Sequence, residues 1–346
     1  MHAGEKKRCT IADIAREAGV SKTSVSFAFN SPHRIGDETR KHILEVARRL
    51  KYVPDPSARN FSLGRTQTLG FLLPQAVDTC LANPYIVEVM KGLGQVCQEH
   101  GYMLTLIPPL NDSVYEAVKN ATVDGLITLG YMVHGGVGSL VDVRAMPLVM
   151  IDGGEGGRHL SVNIDDMGAA RLQLERVLSL GHRRISILSL PAPTLTPNVD
   201  DKGIVGRRLA GYREALEAYG LSLDDLRCLQ GEATWQAGWD LASSLAEGGT
   251  TCIVTMSDVQ ALGIIDRLGD DGLSVPRDIS LVGFDNINRG MASRPHLSTI
   301  DQPGFEKGQM AAMTMFDILD GKSVEKAPLV GYSFVDGGTL APPKGE

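Results

Sequence analysis

A chain of 346 residues that is 43% apolar and 22% charged can fill two or three globular cores. Its longest apolar runs, such as 68–74 and 281–284, fall far short of the ~18 residues that cross a bilayer, and no apolar segment follows its charged start, so neither a membrane protein nor a signal peptide is expected. Five scattered cysteines without CxxC spacing point to reduced thiols in a cytoplasm and exclude a disulfide framework or zinc site, while the net charge of −7 divides unevenly. Residues 1–65 carry 13 Lys and Arg against 7 Asp and Glu, and the remainder carries 21 against 34, as suits a protein of which only one end meets phosphate.

The chain opens on three short helices. Thr10 is placed to cap the first, with Asp13 at the third helical position, and Ile11, Ile14, Ala15 and Ala18 share one face. Gly19 gives a permissive turn. Ser21 caps a second helix running to Asn30, with Val25 facing inward. A third begins near Asp37 and sets Ile43, Val46, Ala47 and Leu50 at helical spacing. Residues 52–64 hold two prolines and end on a glycine, a linker with room for about two helical turns, too few to be stable alone.

From Thr68 aliphatic runs alternate with amphipathic segments. Strands are expected at 68–74, 102–107, 124–129 and 147–151 and helices at 84–100 and 112–120. A second series places helices at 166–180, 205–219, 235–247 and 258–271 and strands at 184–189, 226–230, 251–256 and 279–284. A last helix, 304–320, precedes strand-like 328–335. This alternation predicts parallel sheets covered by helices on both faces, and two series predict two lobes with a cleft between them.

The segment Thr10–Asn30 reads T-I-A-D-I-A-R-E-A-G-V-S-K-T-S-V-S-F-A-F-N. It closely resembles the helix-turn-helix of the lactose/galactose repressor family, whose pattern is T-[IV]-x-D-[IV]-A-x-x-A-G-V-S-x-x-T-V-S-x-x-x-N, with Ser24 in place of the usual Thr. In such motifs the second helix enters the major groove with its first residues at the base edges. The resemblance implies DNA contacts from Thr10, Ser21, Lys22, Thr23, Ser24, Ser26, Phe27, Asn30 and Arg34, with Lys22 and Thr23 reading bases. Phe27 stands where many relatives have a base-contacting Arg; it can touch a thymine methyl or pack. In the linker the resemblance implies a hinge helix in the minor groove, involving Ser57, Ala58, Arg59 and Phe61, with Phe61 as the wedge between base steps.

The likeness continues through Asn83-Pro84-Tyr85, Asp124–Ile127, Gly181–Ile185, Arg208–Tyr212, Ala261–Gly263 and Val282–Asp285. The implied architecture is α/β: an N-terminal three-helix, lambda-repressor-like helix-turn-helix domain (1–53), a hinge linker with its hinge helix (54–66), and a periplasmic-binding-protein-like (type I) body (67–346). That body has two doubly wound parallel-sheet lobes, about 67–164 plus 299–325 and about 165–298 plus 326–341. The resemblance implies effector contacts from Tyr85, Asp152, Arg208, Ser257 and Asp285. An Arg and Asp residues at element ends can donate to and accept from one polyol, or can form an inter-lobe salt bridge. The aromatic that often stacks on the effector is replaced by Ala233, which leaves Trp235 as the nearby candidate.

The partners implied are duplex operator DNA, a small, sugar-like (carbohydrate) effector, and a second copy of the chain, without a membrane. Residues 341–346 carry no leucine heptad, which favours a dimer. No P-loop, G-x-S-x-G, HExxH or Cys/His cluster is found, and Gly135–Gly138 and Gly153–Gly157 read as surface turns, so neither an enzyme nor a cofactor or metal is expected. The alternative function is a cytoplasmic or periplasmic-type small-molecule binding protein without gene regulation.

Overall fold

The computed structural model describes residues 9–54, 64–130, 136–154, 158–191, 203–287, 296–327 and 329–344. The chain divides into two units, Met1–Gln67 and Thr68–Glu346. In the first, three helices form where the sequence carries caps: α1 (Ile11–Glu17), α2 (Lys22–Asn30) and α3 (Asp37–Arg49), with a 3-10 turn at Pro32–Arg34 between the last two. Thr10 and Asp13 close a reciprocal capping box on α1, and Gly19 turns the chain with a φ of 66°. Ile14, Val25 and Ile43, one from each helix, are fully buried together, with Ala15, Ala18, Ala28, Val46 and Ala47 around them. Small residues let short helices approach closely, so a compact core forms from few side chains.

The second unit contains two sheets of like topology. The first orders its strands β2-β1-β3-β4-β5, with β1 (Thr68–Leu72), β2 (Met103–Ile107), β3 (Gly125–Leu129), β4 (Leu148–Ile151) and β5 (Leu160–Val162), all parallel. In the second, β6 (Ile185–Ser189), β7 (Arg227–Gln230), β8 (Cys252–Thr255), β9 (Ser280–Asp285) and β10 (Ser298–Asp301) repeat that order, and β11 (Ser333–Val335) adds an antiparallel edge beside β10. Of the expected strand at 328–335, the described residues form strand at Ser333–Val335 only.

Helices α4 (Val77–Leu81), α5 (Pro84–Glu99), α6 (Val114–Asn120) and α7 (Gly136–Val143) belong to the first sheet, and α9 (Ile204–Ala218), α10 (Trp235–Leu245) and α11 (Asp258–Asp270) to the second. The last two helices are exchanged. α8 (Asp166–Ser179) follows β5 but packs on α9, whereas α12 (Gly304–Leu319) follows β10 but packs on α5, β3 and β4. Two sequence readings are corrected here. The lobe boundary expected at 299 lies beyond β10, because Ser298–Asp301 pairs with Val282–Asp285 in the second sheet. The stretch 135–138 is not a surface turn throughout, since Gly136 starts α7, whose Val141 is buried. Among the described residues no helix is long and apolar enough to cross a membrane.

Three helix pairs pack with glycine at the contact. A β-carbon on Gly92 of α5 would overlap the Phe305 carbonyl, and one on Gly308 of α12 the Val89 carbonyl. Gly211 of α9 meets Met167 in the same way, and Gly238 and Gly263 join α10 to α11. Each blocking atom is backbone, which cannot swing aside. We therefore expect Gly92→Ala and Gly263→Ala each to lower unfolding stability by about 1–3 kcal/mol, the usual cost of overpacking. Urea denaturation checks this, and a loss below about 0.5 kcal/mol, as at an ordinary surface site, would contradict the close packing.

Candidate functional site

In the first unit α2 is held by its own cap. The Ser21 hydroxyl accepts from the Ser24 amide at 3.0 Å and lies 2.9 Å from the Ser24 hydroxyl. These two serines thus serve the helix start before they can serve a phosphate. Lys22 and Thr23, in the first turn, are exposed. Asn30 donates to the Ser26 hydroxyl at 3.4 Å, and Thr10 is committed to the α1 cap. Phe27 is half-buried, and the Arg34 guanidinium stands 5.6 Å from its ring centre, which joins two of the expected contact residues in a cation–π pair. Ser57, Ala58, Arg59 and Phe61 lie outside the described residues.

In the second unit the carboxyl ends of both sheets face one cavity of about 300 Å³. Pro74 and Gln75 follow β1, Leu129 ends β3, and Asp152 follows β4; Leu190, Glu232, Met256 and Asp285 stand at the ends of β6, β7, β8 and β9. Doubly wound sheets place ligands at these strand ends. Asp152 and Asp285 occupy equivalent places, at the ends of the fourth strands of their sheets, and both have positive φ, 55° and 124°. Non-glycine residues persist in such conformations only where their surroundings impose them.

Tyr85, Asp152, Arg208, Ser257 and Asp285 all line the cavity. Trp235, the other expected contact, is not among the lining residues. As the first residue of α10, capped by Thr234, it lies 39% exposed, donates to Asp266 at 2.7 Å and stacks on Trp239. Ala233 takes the wall position instead.

Beneath the cavity runs a buried polar network. Tyr85 donates to Asp152 Oδ2 at 2.6 Å, and Lys307 Nζ donates to Asp152 Oδ1 at 2.5 Å and to Gln302 Oε1 at 2.6 Å. The Gln302 amide donates to Asp285 Oδ1, and Ser257 to Asp285 Oδ2 at 3.0 Å. Arg208 lies 3.6 Å above the Phe284 ring, donates from Nε to Asp166 at 3.0 Å and from Nη1 to the Met256 carbonyl at 2.8 Å. Its Nη2 is buried with no hydrogen-bond partner among the described residues.

Burial pushes the Asp258 carboxyl up to about 8, with the nearby Asp285 adding to it. Burial likewise raises Asp285 to about 6, despite the opposing pull of Arg208. For Asp166 burial again acts upward, but Arg208, Lys307 and Arg207 outweigh it and hold the carboxyl below its ordinary value. Desolvation drives the Tyr85 hydroxyl well up, so it stays a donor.

Sequence reasoning missed Lys307, Gln302, Asp166 and Glu232. For two of them a signal was present. Lys307 sits on the same helical face as Gly304, Gly308, Ala311 and Met315, and Asp166 on the face of Ala169, Ala170 and Val177. A charge on an otherwise apolar stripe marks a buried partner.

The description "Bacterial regulatory proteins, lacI family" matches residues 10–55, and "Periplasmic binding protein-like domain" matches 174–340. Catabolite control protein A of Streptococcus mutans is 30% identical over 93% of this chain and 94% of its own length. The HTH-type transcriptional repressor CytR of Escherichia coli K12 is 28% identical over 92% of each. A crystal structure of a LacI family transcriptional regulator from Enterococcus faecium, with bound ribose, superposes with a TM-score of 0.69 at 26% identity, covering 80% of this chain and 100% of that one.

Asp258 supplies a test of the buried network. Its folded value of about 8 lies above the unfolded value of about 3.9, so the folded state holds the extra proton. The stability this contributes is full below the unfolded value and is lost as pH rises through the folded one. Asp258→Asn cannot lose a proton. The melting temperature of the wild type should therefore fall relative to that of Asp258→Asn between pH 5 and pH 9, and parallel curves would refute the assignment.

Proposed function

Because the chain belongs to the lacI family of bacterial regulatory proteins, we propose that it is a DNA-binding transcriptional repressor that holds a pseudo-palindromic operator as a homodimer and answers to a small, sugar-like effector. The observation that carries the reading is a capped α2 presenting Lys22 and Thr23 at its first turn, exposed and with no side-chain hydrogen bond among the described residues. A helix so presented meets base edges with its first residues, while Ser21, Ser24, Ser26, Asn30, Thr10 and Arg34 lie near enough in sequence to meet phosphates or neighbouring bases.

Two copies related by a two-fold axis set two such helices into successive major grooves, and the symmetry of the operator mirrors that of the dimer. The linker, residues 54–66, is assigned the minor groove, with Ser57, Ala58 and Arg59 against the backbone and Phe61 wedged between base steps. The effector occupies the cavity between the strand ends, where Tyr85, Asp152, Arg208, Ser257 and Asp285 offer donors and acceptors. Ribose in a related regulator supports a sugar-like occupant. An effector that favours one lobe arrangement over the other alters DNA affinity by about 1–3 kcal/mol, and one that binds both equally alters nothing. The chain is not an enzyme and works in the cytoplasm, where its DNA is.

A randomised-duplex selection with the full chain tests this. It should yield a two-fold symmetric site whose binding weakens steeply with salt, as phosphate neutralisation requires. Lys22→Ala with Thr23→Ala should reduce the preference for that site over random duplex by about tenfold or more, without lowering the melting temperature. Enrichment of no site, or full preference in the double variant, would overturn the reading.

A further inference from the structure

The charges around the cavity are not balanced one for one. Every cation of the network has a carboxylate: Arg208 and Arg207 share Asp166, at 3.0 and 2.7 Å, and Lys307 takes Asp152 at 2.5 Å. Two lining carboxylates have no ion pair among the described residues. Asp285 is met by the Ser257 hydroxyl and the Gln302 amide, and Glu232 by the Gln75 amide at 2.7 Å. Among the described residues the network thus holds five carboxyls, Asp152, Asp166, Glu232, Asp258 and Asp285, against three cations, Arg207, Arg208 and Lys307. With Asp258 protonated near neutral pH, one negative charge remains in excess.

The orphaned Nη2 of Arg208 asks for an acceptor. Because Nε and Nη1 are already occupied, it offers a single nitrogen rather than the fork that grips a carboxylate or phosphate with two parallel bonds. One neutral oxygen satisfies it. Ile86, Leu129, Ile204, Val205 and Met256 complete the wall with aliphatic surface, which lowers the local dielectric and strengthens repulsion between like charges.

We propose that this cavity is a charge filter, accepting an uncharged polyhydroxylated ligand with one oxygen on Arg208 Nη2 and rejecting the phosphorylated form of the same molecule. The inference rests on the cavity being the effector site, but not on DNA recognition, which the duplex selection tests separately. Asp285 at the floor and Glu232 at the rim repel an entering anion, and among the described residues the cation it would meet there, Arg208, is already paired with Asp166 and offers one nitrogen only. Hydroxyl groups, by contrast, can donate to both carboxylates and accept from the guanidinium.

The probes are D-ribose, D-glucose and D-galactose, each compared with its terminal phosphate and its terminal O-methyl ether by calorimetric titration of the full chain at pH 7.5. At least one free sugar should bind, its methyl ether within about threefold and its phosphate at least about tenfold more weakly. Glu232→Gln, a rim substitution that leaves the floor intact, should narrow the phosphate penalty, and adding Asp285→Asn should narrow it further. The proposal is overturned if no sugar binds, if a phosphate binds as tightly as its parent, if ether and phosphate are rejected alike, or if Glu232→Gln leaves the penalty unchanged.

Discussion

The body depends on two buried ion pairs, each of which docks a helix that has crossed between lobes. Asp166, the first residue of α8, meets Arg208 of the second lobe, and Lys307, in the first turn of α12, meets Asp152 of the first. A charge moved from water into such a place is tolerated only with a partner and further hydrogen bonds, and removing one partner leaves the other stranded at a cost of several kcal/mol. The exchanged helices are thereby fixed in register at their starts, directly beneath the cavity. Fold and site share the same atoms: Asp152 and Arg208 hold the crossings on one side and face the cavity on the other.

The repetition of one strand order in both sheets explains why the cavity is built from equivalent positions. In each sheet the fourth strand ends in an aspartate with positive φ, and the third ends beside it, in Leu129 and Met256. The halves differ in what surrounds those aspartates. Asp152 has a lysine, whereas Asp285 has neutral donors and the buried Asp258 as neighbour. That asymmetry leaves Asp285, unlike Asp152, without an ion pair among the described residues.

Much of this was legible in the residues. Caps at Thr10 and Ser21, a helical stripe in each of the first three helices and the alternation of aliphatic runs with amphipathic segments placed nearly every long element within a residue or two. The losses have physical reasons. β5 and β10 span only three and four residues, too short for a periodic pattern, and missing β10 displaced the lobe boundary. Glycines at 135, 136 and 138 masked α7. Trp235 was named for its aromatic ring and its nearness in sequence to Ala233, but its place at the first turn of α10 sends the ring to Asp266 and Trp239. Long-range partners such as Lys307 with Asp152 join segments far apart in the chain, and no local spacing announces them.

The first unit reaches its function by economy. Alanines with Ile14, Val25, Ile43 and Val46 make the core, which leaves the polar residues of α2 for its cap and for solvent. Recognition then turns on which side chains touch DNA. A crystal structure of the full chain on its selected duplex measures this directly: α2 should lie in the major groove with Lys22 and Thr23 within hydrogen-bond reach of base edges. A complex in which α3 occupies the groove, or in which Lys22 and Thr23 face solvent, would contradict it.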